Sequence, residues 1–73
     1  MNPVHKAGEL VRVSLEGRTV DAVVVLASGD GRSLYVTFEA ILGGYAGGMP
    51  VIWRDGAFTD FHHRAVEIER VGP

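Results

Sequence analysis

The sequence predicts an all-β domain: a small barrel of five or six short antiparallel strands, with at most one short helical turn. Three observations predict it. Apolar and polar residues alternate with period two through most of the chain. The ten glycines fall almost entirely between apolar runs, where they punctuate turns. No window carries an apolar stripe through two full helical turns. At 73 residues the chain is one domain. A chain so short buries only about 60% of the surface it exposes unfolded, so it needs a very regular fold, oligomerisation, or both. It has no cysteine, which removes disulfides and cysteine-based zinc sites.

The first unit follows a tail of residues 1–7. Glu9–Leu15 and Arg18–Leu26 flank Glu16-Gly17, a two-residue hairpin connection. That turn sets Val13 opposite Val20, Val11 opposite Ala22 and Leu15 opposite Arg18. On the reverse face Ser14 meets Thr19 and Arg12 meets Asp21. One face is then apolar, and the other carries a hydroxyl pair and an ion pair. A one-residue slip destroys both matches.

Ser28-Gly29-Asp30-Gly31 is a turn cluster. Ser33–Phe38 follows as a half-buried strand, with Leu34, Val36 and Phe38 on one face. Residues 39–50 read as a longer loop containing Gly43, Gly44, Gly47 and Gly48, with one helical turn at Glu39–Leu42 before the glycines stop it. Asp55-Gly56 is a type I′ signal. It sets Trp53 opposite Phe58, Val51 opposite Asp60, Ile52 opposite Thr59 and Arg54 opposite Ala57. Phe61-His62-His63-Arg64 turns a corner, read as one 3₁₀ turn. Ala65–Val71 is the last strand, and Gly72-Pro73 ends the chain.

This succession of short strands, tight hairpins and one longer loop resembles SH3-like barrels, the group that includes Tudor and KOW modules. The resemblance covers residues 8–71 and is one of pattern. Within that group the chain is loosely similar to the type II dihydrofolate reductases. The likeness lies in Gly8-Glu9-Leu10-Val11-Arg12 and in Ala65-Val66-Glu67-Ile68-Glu69-Arg70-Val71. That family builds its active pore from a Val-Gln-Ile-Tyr run in a tetramer. The nearest segment here, Val51-Ile52-Trp53, lacks the glutamine, so only the lesson that such barrels work as oligomers carries over.

Net charge is −2 and the isoelectric point about 5.8, which argues against nucleic acid as a partner. No segment reads as a targeting signal. The longest strongly apolar run, Ala22–Ala27, is too short to cross a bilayer, so a cytoplasmic protein is expected.

Candidate functional residues are few. Tyr45 sits among glycines, as an anchor into a partner or a lid over a pocket; no P-loop or dinucleotide fingerprint surrounds it. Trp53 and Phe58, with Asp55 and Asp60 nearby, suit an aromatic cage for a cation, as in Tudor-like domains. Core packing is the favoured reading of the pair, because one face of this hairpin must be buried. His62 and His63, with His5 and Asp60, specify no tetrahedral metal site, and no metal or cofactor is expected. Ser14, Ser28 and Ser33 lie in no nucleophile motif.

The second strand, Val20–Ala27, is apolar on both faces in its latter half. Val24 and Leu26 belong to the inward set, which leaves Val23 and Val25 outside. With Leu10 and Tyr35 they form an outer apolar patch of the kind that marks an interface, here between two copies of the chain. The expected function is a non-catalytic binding or interaction module that self-associates and takes a protein or peptide partner. The alternative is a small oligomeric enzyme whose active site forms between subunits.

Overall fold

The computed structural model describes residues 5–71. Six strands follow in order: β1 (Leu10–Leu15), β2 (Arg18–Ala27), β3 (Ser33–Leu42), β4 (Tyr45–Arg54), β5 (Ala57–Thr59) and β6 (Ala65–Arg70). Each pairs antiparallel with the next, and β6 returns to β1, so the sheet closes into a barrel. Closure pairs every strand on both sides over at least part of its length, so no strand is a wholly open edge. The described residues contain no helix.

The β1–β2 hairpin has the register its sequence dictates, from Leu15↔Arg18 through Val13↔Val20 to Leu10↔Val23. Glu16 and Gly17 both take positive φ, 51° and 83°, as a type I′ turn requires. Ser14 Oγ and Thr19 Oγ1 lie 2.8 Å apart on the outer face. The Arg12–Asp21 pair beside them, at 3.6 Å and well exposed, adds little. The β4–β5 hairpin repeats the device at Asp55 (φ 50°) and Gly56 (φ 86°), with Trp53↔Phe58 opposed.

Two expectations give way. The stretch from Glu39 to Leu42 is not a helical turn but the second half of β3, and the glycine-rich stretch is not a long loop. Gly43 and Gly44, at φ 58° and 92°, reverse the chain in two residues and set Leu42 opposite Tyr45. Two surplus residues on β3 are absorbed by a bulge between Thr37 and Ile41. Gly48 meets a different demand. A Cβ there would lie 2.7 Å from the Val36 carbonyl oxygen and 3.0 Å from the Tyr35 ring, so glycine lets Tyr35 lie flat across β4.

The other correction concerns Leu26. A bulge between Val24 and Leu26 shifts the register of β2 against β3 by one residue. Leu26 then pairs with Tyr35 on the outside and is 67% exposed, instead of joining Val24 inside. One extra residue inverts the facing of everything beyond it.

The core draws on every strand. Val11, Val13, Val24, Val36, Leu42 and Met49 are completely buried. Each such side chain contributes about 1.5–3 kcal/mol relative to exposure. Leu15 seals one end and packs against Gly43: a Cβ at Gly43 would clash with Leu15 Cδ2 and lie 3.2 Å from its Cγ. Gly43→Ala is therefore expected to lower the unfolding free energy by about 2 kcal/mol, from strained φ and overpacking together. Gly44→Ala, also at positive φ but facing open space, should cost about 1 kcal/mol. Urea unfolding of the two variants checks this; equal losses would show that Leu15 does not hold its place.

Candidate functional site

The corner between β5 and β6 brings together residues from three turns. Asp60 follows β5, and its side chain is completely buried. Its Oδ1 accepts from the backbone N–H of His62 at 3.0 Å and of Arg64 at 2.8 Å. Its Oδ2 accepts from Arg64 Nε at 2.9 Å and from the Tyr45 hydroxyl at 3.1 Å. The His62 bond is an Asx-turn, and a backbone bond from His63 N to Asp60 O closes the corner as a β-turn and not the 3₁₀ turn expected. His63 takes the left-handed conformation there, φ 61°.

Arg64 carries the corner outward. Its Nη1 donates to Glu16 of the first hairpin turn at 2.7 Å, and its Nη2 to the Gly43 carbonyl of the second at 2.9 Å. Its guanidinium lies 5.9 Å from the centre of the Tyr45 ring. Burial alone would push the Asp60 carboxyl up. The Arg64 backbone N–H, the Arg64 side chain and the Tyr45 hydroxyl outweigh it and hold the carboxyl below its ordinary range.

The structure thus joins Tyr45 to Asp60, and both serve the corner. Tyr45 is half-buried against the core and is neither a free anchor nor an open lid. Trp53 and Phe58 also meet, edge to face, with ring centres 4.9 Å apart. Phe58 is buried in the core and Trp53 packs half-buried against it. A shallow hollow of about 310 Å³ beside them is lined by Trp53, Phe58, Val66, Glu67 and Ile68. Asp60 brings no free charge to it, because both its oxygens are engaged by the corner.

A second polar cluster precedes β1. His5 is buried and its Nδ1 bonds to the Glu9 carboxylate, whose other oxygen accepts from Arg70 Nε at 3.0 Å. The His5 ring stands 5.9 Å from Phe58. Burial would raise the Glu9 carboxyl; the bonds from His5 and Arg70 bring it below its ordinary value. Residues 1–4, the start of the expected tail, and residues 72–73 lie outside the described residues. Among the described residues no group of three or more His, Asp or Glu side chains could hold a metal ion, and no helix is long and apolar enough to cross a membrane.

The outer face of β1–β3 is the remaining feature. Leu10 (57% exposed) pairs with Val23, which is half-buried. Val25 (41%) sits in the bulge, and Leu26 pairs with Tyr35 (38%). The face continues over β4 through Pro50, opposite Tyr35, and Ile52. All four residues read from the sequence as an interface share this side. Leu26, Pro50 and Ile52 also lie on this side and were not read from the sequence as part of it, Leu26 because period-two alternation carries no sign of a bulge. Arg64 was also missed, although its spacing of four from Asp60 across a turn is the signal that could have found it.

Fold and site together define a small closed six-stranded antiparallel barrel, compatible with an SH3-like barrel. Compared with protein-family models, curated proteins and solved structures, the chain matches none of them.

The corner gives a test in acid. A carboxylate with a lowered folded value stabilises the fold above its unfolded value, 3.8 for Asp60, and that stabilisation is lost as pH falls through the lowered folded value. Asp60→Asn keeps the shape but sets an amide donor or a weaker acceptor against the donors around it. It should cost about 3 kcal/mol at pH 7 and flatten the decline in stability below pH 3.8. Urea unfolding between pH 2 and 7 measures both; an unchanged acid slope would remove Asp60 from this role.

Proposed function

We propose that the chain is an SH3-like barrel that works as a non-catalytic interaction module and self-associates through the outer face of β1–β4. The observation that carries this reading is the row of exposed apolar side chains Leu10, Val25, Leu26, Tyr35 and Ile52 on one side of the sheet. A contiguous apolar patch on a small protein ordinarily marks an interface. A standard interface takes about 800 Å² from each partner. The described surface totals 4639 Å², so a dimer would cover roughly one-sixth of it. A two-fold arrangement, in which the patch meets itself, is the commonest way to close such an assembly.

The chemistry of the polar groups agrees with a module that binds without reacting. The buried carboxylate, Asp60, is held by Arg64 and Tyr45 within the scaffold. General acid–base catalysis by a carboxylate is most effective when its pKa lies near the working pH, and here the surroundings drive Asp60 the other way.

Light scattering after size exclusion, from micromolar to millimolar protein, tests the reading. The wild type should run as a dimer or higher oligomer. Leu26→Glu should raise the dissociation constant at least about tenfold, because it buries an unpaired charge in the contact. A wild type that stays monomeric throughout would overturn the proposal.

A further inference from the structure

The β2–β3 ladder stops before either strand does. Its last pair is Val23↔Thr37, yet β2 begins at Arg18 and β3 runs on to Leu42. The β3 bulge falls just past that point, where β3 continues its pairing with β4 alone. An open groove of about 690 Å³ lies between the splayed strands. Val20, Ala22, Phe38 and Ala40 give it apolar walls, and the charged residues in its lining are Asp21 and Glu39.

Before Val23 the backbone of β2 has no β3 partner on this side. Val24 exchanges bonds with the β1 side, donating to Glu9 O at 3.0 Å and accepting from Gly8 N at 2.6 Å. Antiparallel strands direct alternate residues to opposite neighbours, so Ala22, Val20 and Arg18 face β1 as well. Thr19 and Asp21 therefore turn their N–H and C=O groups toward the groove, beyond the last β2–β3 pair. A strand edge with free backbone groups beside an apolar trough is what strand addition requires.

We propose that this groove takes an extended peptide segment of a partner protein, added as a strand along Arg18–Ala22. The segment spans about five residues, sets apolar side chains into the groove at alternate positions, and carries Lys or Arg toward Asp21 and Glu39. Charge selects the occupant. Asp21 is 89% exposed and its 3.6 Å contact with Arg12 is weak, so it remains able to receive a second cation. A second copy paired edge to edge about Val20 sets its Thr19, and no cation, opposite Asp21. Nucleic acid would meet acidic groups where it needs basic ones. This inference deepens the interaction-module reading by naming the partner's chemistry; the groove shares Leu10 and Val23 with the outer apolar face, while its strand edge at Thr19 and Asp21 lies outside the residues that carry the self-association.

The test uses the full chain, ¹⁵N-labelled, titrated with an end-capped peptide Val-Lys-Val-Arg-Val. Binding should shift the Thr19 and Asp21 amide signals. The peptide Val-Glu-Val-Glu-Val should bind at least about tenfold more weakly. The exposed double substitution Asp21→Lys with Glu39→Lys, its fold checked by circular dichroism, should weaken the basic peptide by a similar factor. Equal binding of both peptides, or no shift at Thr19 and Asp21, would overturn the proposal. Shifts there on raising protein concentration alone that persist in Leu26→Glu, which breaks the outer-face contact, would assign the groove to a second copy and overturn it too. Molecular mass is read separately, so failure of self-association and failure of the groove are distinguishable.

Discussion

The ion pair between Asp60 and Arg64 is the contact on which the rest of the barrel depends. Six strands bury a modest core, and the ends of a small barrel are where it opens first. At one end three chain reversals converge: Glu16-Gly17, Gly43-Gly44 and the β5–β6 corner. Asp60 fixes the corner through two backbone N–H groups, and Arg64 extends a planar fork to the other two turns. Arginine suits this work because its donors diverge in one plane. A buried pair is not strongly stabilising in itself, but it penalises any arrangement that leaves one partner unmatched. Its effect here is to select one register for three hairpins at once.

The same economy explains the two polar residues buried in the described chain. His5 bonds Glu9, Glu9 bonds Arg70, and the segment before β1 is thereby tied to the last strand. At both ends of the barrel, polar side chains join parts of the chain that are far apart in sequence. The aromatic residues follow the hydrophobic logic instead. Phe58 enters the core, Trp53 caps it edge-on, and Tyr45 supplies a ring to Arg64 and a hydroxyl to Asp60.

Local encoding decided what the sequence could reveal. The β1–β2 and β4–β5 hairpins were legible because turn residues and cross-strand partners sit within a few positions of one another and support one register. The Gly43-Gly44 reversal was hidden among four glycines, where no single pair marks the turn. Bulges were invisible, since each breaks the alternation from which facing is read. Leu26 changed sides for that reason, and the groove beside Asp21 and Glu39 could not be foreseen without the bulge in β3. Tyr45, Trp53, Phe58 and Asp60 were recognisable as unusual residues, but their partners are set by closure of the barrel. Of the outer patch, Leu10, Val23, Val25 and Tyr35 were legible from simple alternation. That patch and the groove share Leu10 and Val23, so both surfaces arise from the same short stretch of β2 and its neighbours.

Amide hydrogen exchange on the wild-type protein tests the role of Asp60 most directly. His62 and Arg64 lie in a short surface turn, where amides ordinarily exchange freely. Their N–H groups are bound to a buried carboxylate that holds the end of the barrel together. The account predicts that both exchange only through global unfolding, as slowly as Val24 and Val36 in the core. Exchange of His62 and Arg64 at the rate of an exposed loop, while the core stays protected, would contradict it.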